Sequence, residues 1–466
     1  MADASYSPRL RTGVVLCGAG TAGSYQAGVL RALVEAGIKI DVFAAHGIGI
    51  LTALCAAIDG TARLWDADGP LTDPRLRRAY RWRPALRTAA VALLAGIAVL
   101  LLPLAVMIAA AVLYALSMVA SAANLPDLAA DLIGRYRVLL EWLFAPPVLP
   151  TVIPRLAMLA MIVVAGVLVV AAVRAMRGES RRRRRGAFWW RLIGSPLESH
   201  AAESALLETL WRLVRGASNE PRPAAAEIGR RYVDLLLDNA GQPGFRDVLI
   251  AVHDLDARRD LVGAVLPDAS RDVFEARRYD GSVREAESIL FRTPTAPLVS
   301  DFLHAGMRLP IATEPHLAEF PADSYWRGEA HRLCDRPELA VRLVEELAAL
   351  GVEQIVLVSP AGPPALPHGM RGRPLDLRGR MGEVMRSIET AVVEDAARAA
   401  AARFSGVFVI RPDHNPIGPF DLAGVYDEAS DRRRTTRELM QQGYADAYRL
   451  FIEPVVAAGE RVEELL

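Results

Sequence analysis

Residues 14–54 read VVLCGAGTAGSYQAGVLRALVEAGIKIDVFAAHGIGILTAL. A β-rich run ends at Cys17. Three glycines, Gly18, Gly20 and Gly23, then fall in a G-x-G-x-x-G pattern ahead of an apolar-periodic stretch that predicts a helix. A second strand, VFAAH, runs into a tight elbow, Ala45-His46-Gly47-Ile48-Gly49, and a further helix follows at once. Strand, turn, helix, strand, elbow and helix are the opening of an α/β layered domain with a mostly parallel sheet. Parallel strands need both faces covered, so residues 11–70 do not complete a domain alone.

The glycine turn has two physical readings. It suits a dinucleotide loop, and it suits an oxyanion loop, Gly18-Ala19-Gly20-Thr21-Ala22-Gly23, whose backbone N–H groups face a developing negative charge. Both use donors at a helix N-terminus. A dinucleotide site wants an acid at the end of the second strand, whereas here Asp41 precedes VFAAH and a glycine elbow follows it. The oxyanion reading is preferred. A nucleotide-binding membrane protein is the lesser alternative.

Working outward, the 466-residue chain has 54 basic and 54 acidic side chains, so no overall field favours nucleic acid. Hydrophobic residues make up 52%, which points to membrane segments. Cys17, Cys55 and Cys334 are odd in number and far apart, and they make neither a disulfide framework nor a zinc spacing. No metal and no cofactor is expected. MADASYSPRLRTG, residues 1–13, has no apolar core of a signal peptide.

Thr88 to Ala123 is 36 positions without a charge or a histidine, and Leu156 to Val173 is another 18. A span needs roughly 20 apolar residues. The first run exceeds that and must tilt, bend near Pro103 or emerge from the bilayer. Arg75, Arg77, Arg78, Arg81, Arg83 and Arg87 precede the first run; Arg174, Arg177 and Arg181–Arg185 follow the second. The segment between them balances Arg135, Arg137 and Arg155 against Asp127, Asp131 and Glu141. The positive-inside tendency then makes 85–176 a transmembrane hairpin with both ends cytoplasmic. Its flanks, Arg75–Arg87 and Arg174–Arg185, are expected to meet anionic headgroups. Phe188, Trp189 and Trp190 suit an interfacial anchor.

Beyond residue 200 the α/β pattern resumes. FRDVLIAVHDL predicts a strand, ELAVRLVEELAALGVEQIVLVSP a helix and a strand, and VFVIRP a further strand; long helices are expected over 378–403 and 432–457. Residues 200–460 therefore complete the domain that 11–70 begins, and the hairpin is an insertion.

The turn and elbow together resemble the patatin-like phospholipase family. CGAGTAGSYQAGVLRALVEAG is similar to that family's oxyanion loop and helix, with Tyr25-Gln26-Ala27-Gly28-Val29-Leu30 the best match. AAHGIGILTAL is similar to its GTSAGALNA nucleophile elbow. VLIAVHDLDARRDLVGAVLP, HAGMRLPIATEP and the stretch VFVIRPDHNPIGPFDL with YDEASDRR resemble later family segments. The resemblance implies a patatin-like three-layer α/β/α fold and a Ser–Asp dyad acting on lipid acyl esters. Together with the hairpin and its flanking charges, the expectation is a bacterial multi-pass protein of the inner membrane with its α/β domain in the cytoplasm.

Against that pattern the chemistry is missing. Gly47 stands where the family has its serine. YWRGE, residues 325–329, aligns best with the family's YVDGG and places Arg327 on the aspartate position; Ala22 stands where Arg or Lys is usual. Asp280-Gly281-Ser282 comes too early in the chain, and Asp335 and Glu329 are nearby acids without motif support. Thr52 lies more than a helical turn past the elbow. His46 as a general base on water and Cys17 as a thiolate are the residues left to take over. The expectation is a membrane-anchored, non-hydrolytic member acting in lipid binding or as a scaffold. The alternative is an active acyl hydrolase with a rearranged site.

Overall fold

The computed structural model describes residues 6–20, 22–58, 61–66, 69–72, 75–76, 80–177, 194–276, 286–364, 377–413, 425–427, 432–434 and 435–457. The chain forms two compact units. One joins Met1–Arg81 to Leu197–Leu466, and the other is Trp82–Pro196.

Among the described residues of the first unit nine strands make one sheet: β1 (Thr12–Leu16), β2 (Val42–Ala45), β3 (Asp247–Asp254), β4 (Arg259–Val265), β5 (Ser288–Leu290), β6 (His316–Glu319), β7 (Ala330–Cys334), β8 (Gln354–Val358) and β9 (Gly406–Ile410). The main order is β9-β8-β1-β2-β3-β4-β5. From β9 to β3 every pairing is parallel. β4 then returns antiparallel on β3, and β7 pairs antiparallel with both β3 and β6. The expected strands in FRDVLIAVHDL, VEQIVLVSP and VFVIRP are β3, β8 and β9. The antiparallel edge was not foreseen.

The described helices of eight or more residues, in chain order, are α1 (Ala22–Glu35), α2 (Gly49–Ala56), α3 (Pro84–Ala122), α4 (Pro126–Phe144), α5 (Ile153–Arg177), α6 (His200–Arg215), α7 (Ala225–Asp238), α8 (Asp268–Ala276), α9 (Leu298–Gly306), α10 (Leu339–Ala349), α11 (Leu377–Ala401) and α12 (Thr436–Ala447). Strand side chains alternate between faces, and both faces of this sheet are apolar. Val14, Leu16, Phe43, Ile250 and Val356 join one core with α1, α2, α6, α7, α9 and α12. Val15, Cys17, Ala44, Leu249 and Ile355 join the other with α8, α10 and α11. That is a three-layer α/β/α domain, and the full burial of β1, β2 and β8 explains their near-continuous apolar runs.

α1 and α12 touch backbone to backbone. A Cβ on Gly28 would collide with the Met440 carbonyl, and one on Gly443 with the Tyr25 carbonyl. Tyr25 adds a hydrogen bond from its hydroxyl to Asp446 Oδ2, 3.0 Å. α12 starts on a capping box, with Thr435 and Glu438 each satisfying the other's backbone N–H.

Among its described residues the second unit has three α-helices where the sequence predicted two. α3 is one continuous helix of 39 residues, about 58 Å at 1.5 Å per residue. The returning limb is broken into α4 and α5 by a five-residue π-helical turn at Val148–Val152, in a segment containing Pro146, Pro147 and Pro150. Gly96 of α3 faces Ala160 of α5, and Tyr114 faces Tyr136 of α4 with ring centroids 5.6 Å apart. So the charged segment 127–141 is not a loose connection but a helix laid along the distal half of the apolar run. Pro84–Ala122 and Pro126–Val173 are each long and apolar enough to cross a membrane, and both are almost wholly unburied.

Candidate functional site

β1 and β2 run parallel and in register, Leu16 opposite Ala45, so Cys17 and His46 leave the sheet side by side at its carboxyl end. The chain goes from β1 to β2 on one side, and β8, the other neighbour of β1, leads to β9 away from it. Open parallel sheets place their binding crevices at such a reversal.

The elbow turns through the left-handed region, with Gly47 at φ +62. It has no room for a side chain. A Cβ on Gly47 would stand 2.9 Å from Asp335 Oδ2 and within clash distance of the Gly18 carbonyl oxygen. A Cβ on Gly49 would meet the Leu16 carbonyl, and one on Gly306 of α9 would meet the Gly47 carbonyl. Ala45 and Ile48 are buried in the same core. The Thr52 hydroxyl donates to Gln26 Oε1 (2.7 Å), and Gln26 Nε2 donates to the Cys17 carbonyl (2.8 Å). These polar groups brace the turn from below and are not offered to a substrate.

The glycine turn aims a carbonyl, not an amide, at the crest. An oxyanion hole needs N–H donors about 2.7–3.1 Å from the oxyanion. Gly18 and Gly20 both have positive φ, +109 and +58. The ring of Pro360 fills the place of a Gly18 side chain. Ala22 N–H returns to the Ala19 carbonyl at 3.3 Å. Ile48 and Leu71 close on Gly23. Thr21 lies outside the described residues.

The acid beside the elbow is Asp335, whereas Arg327, the expected aspartate position, lies elsewhere. Arg327 sits in the exposed turn between β6 and β7, itself at φ +47. Eight residues later, at the other end of β7, the Asp335 N–H bonds the Arg308 carbonyl (2.9 Å) and its Oδ1 pairs with His46 Nδ1 at 2.9 Å. Motif spacing favoured YWRGE, but the whole length of β7 separates that segment from the elbow. The usable signal was an acid following directly on the apolar strand end, Cys334-Asp335. Glu329 instead bonds His331, whose other nitrogen pairs with Asp254. Asp280, Gly281 and Ser282 lie outside the described residues.

His46 and Asp335 are 1% and 2% exposed, so this pair is sealed. Burial alone would lower the His46 imidazole. The charge and hydrogen bond of Asp335, with a smaller push from the Cys17 thiol, reverse that and hold it well above the ordinary histidine value. Its Nε2 is buried without a hydrogen-bond partner among the described residues. Glu389 of α11 completes the cluster. Burial raises its carboxyl to about 8; the charge of His46 opposes the rise, Asp335 adds to it, and the Ala19 amide opposes it. Sequence reasoning missed Glu389, because only the packing of α11 over the sheet brings it here.

No known family profile matches the chain, and no curated protein matches it. The crystal structure of VipD from Legionella pneumophila is similar at a TM-score of 0.29 and 11% identity, over 97% of this chain and 68% of that one. A likeness that slight assigns neither fold nor function.

Of the predicted headgroup contacts, Arg75 and Arg87 are exposed side chains, and so are Arg81 and Arg83 in part or whole. Arg77, Arg78 and Arg181–Arg185 lie outside the described residues, as do Phe188, Trp189 and Trp190, and the side chains of Arg174 and Arg177 are not described.

Proposed function

We propose that this chain is a membrane-anchored, patatin-like protein that does not hydrolyse esters and acts by holding lipid, or a partner, at a bacterial inner membrane. One observation carries the reading. At the crest of the elbow there is no nucleophile, and the space for one is taken by the Gly18 carbonyl and the Asp335 carboxylate. An acylating side chain is the group whose loss removes most of a hydrolase's advantage, about 10⁶-fold in a measured case. The two long apolar stretches support the anchor. Arg75–Arg87 and Arg174–Arg185 would meet anionic headgroups on the cytoplasmic side. The test is turnover by the purified chain of a p-nitrophenyl ester and of phospholipid vesicles. Rates at the level of a buffer blank support the reading, and saturable turnover sinks it.

A second reading is favoured by the company Cys17 keeps. Thiol, imidazole and carboxylate follow one another in Cys17, His46 and Asp335, the order of parts in a thiol acyl-transfer site. In that reading Cys17 and His46 share one proton, the thiolate form attacks an acyl carbonyl, and the alcohol leaves with the proton from the His46 imidazolium, giving a thioester on Cys17. The alternative of a rearranged acyl hydrolase would take this form. It predicts a hydroxylamine-labile acyl adduct on Cys17 that Cys17→Ala removes. A chain that carries no such adduct after incubation with an activated acyl ester excludes it.

A further inference from the structure

Away from the elbow, the structure brings together Asp301, His304 and His316. Asp301 and His304 are three residues apart on α9 and therefore share a face. His316 opens β6 and comes at them from the sheet. One ligand atom from each lies within 4.8 Å of the other two. His316 Nε2 and Asp301 Oδ1 are 2.7 Å apart, and the His304 and His316 rings meet edge on, with centroids 4.9 Å apart. All three residues are half-buried.

We infer that these three residues form a binding site for one divalent transition-metal ion, zinc being the probe, with two imidazole nitrogens and one carboxylate oxygen as protein ligands. Two histidines and a carboxylate are a recurrent donor set for zinc and for non-haem iron. Around a tetrahedral zinc at about 2.0–2.1 Å, donor atoms stand roughly 3.3 Å apart. The widest separations therefore need to close by up to about 1.5 Å and the His316–Asp301 pair to open by about 0.6 Å, within rotamer adjustment. The ion enters between Nε2 of His316 and Oδ1 of Asp301. The imidazole proton now shared by that pair moves to Nδ1, and the freed lone pair binds the metal. Three protein ligands leave a fourth position for water or an anionic ligand.

Ligation would tie α9 to β6. That junction matters to the elbow, because Gly306 of α9 lies on the Gly47 carbonyl and the Arg308 carbonyl holds Asp335. A bound ion would thus brace the wall behind His46 and Asp335.

The test uses the full chain, without an affinity tag, in detergent micelles stripped with a chelator. Isothermal titration with Zn²⁺ is expected to give one site per chain in the micromolar range or tighter. Asp301→Asn, His304→Ala and His316→Ala should each weaken it tenfold or more. His253→Ala, in a separate His–Asp pair, should leave it unchanged. Should a ligand variant not fold, Co²⁺ added to the unaltered chain gives an independent readout, a visible d–d absorption saturating at one equivalent. No zinc uptake at one equivalent, no cobalt band, or affinity unmoved in folded ligand variants overturns the inference.

Discussion

Asp335 Oδ2 stands 2.9 Å from the point where a side chain on Gly47 would begin. The other oxygen of that carboxylate is bound to His46. An acid is therefore in place beside an elbow that has nothing for it to activate.

This relationship makes Gly47→Ser an informative variant. The serine would sit next to an acid, but its Cβ would strike the Gly18 carbonyl, and the backbone is at φ +62. We expect p-nitrophenyl ester turnover to stay at background. Stability should fall by about 1–3 kcal/mol, the scale of a non-glycine residue forced into a strained conformation, read from denaturant unfolding. Turnover restored by this single change would mean that the glycine turn swings clear.

Glu389 gives a pH dependence with a definite sign. Its carboxyl rises from an ordinary 4.5 to about 8 on folding, so the fold binds its proton more tightly than the unfolded chain does. That stabilisation is complete below about pH 4.5 and is lost as pH climbs through about 8. His46, also raised, loses its contribution in the same direction, as pH rises past its folded value. The melting temperature should fall from about pH 5 to about pH 9. Glu389→Gln should flatten that slope, and an unchanged slope would count against a buried proton there.

The backbone contact between α1 and α12 predicts that Gly443→Ala is costly despite adding one methyl group. The methyl would run into the Tyr25 carbonyl, so the helices must separate. About 1–3 kcal/mol of stability should be lost, the usual range for overpacking. Ala445→Gly in the same helix offers a comparison, where about 1 kcal/mol reflects helix propensity alone.

The insertion can be tested by removal. The Arg83 N–H bonds the Pro196 carbonyl at 3.1 Å, so the ends of the second unit meet. Replacing residues 84–195 with a short Gly/Ser linker should leave a folded α/β domain in the aqueous fraction. The full chain should resist alkaline carbonate and enter solution only with detergent. Full chain in the carbonate supernatant would refute the anchor.

Much of the architecture was readable because it rests on local pattern. Buried parallel strands such as QIVLV declare themselves as apolar runs, and α10 shows its amphipathic period beside one of them. The crest of the elbow was equally legible, since glycine at 47 is decisive by itself. Asp335 and Glu389 were not, because each reaches the elbow from a distant part of the chain, 289 residues away from His46 in the case of Asp335. The metal-ligand trio escaped notice although Asp301 and His316 are only 15 residues apart, because it takes the fold to bring the strand residue His316 against α9. In the hairpin, apolar length was plain, but the break at Val148–Val152 depends on how α4 and α5 share the flank of α3.

The clasp between Gly28 and Gly443 also sets a timetable. Residues emerge from the ribosome in order, and the partner that covers α1 is made only after some four hundred others. Until then the apolar side of α1 stays uncovered, and β1 waits for β8. The greasy pair of limbs is translated long before either gap closes. Vectorial synthesis therefore commits the middle of this polypeptide to its surroundings before the globular part is assembled, and a stalled product ending short of residue 436 would be caught half-made.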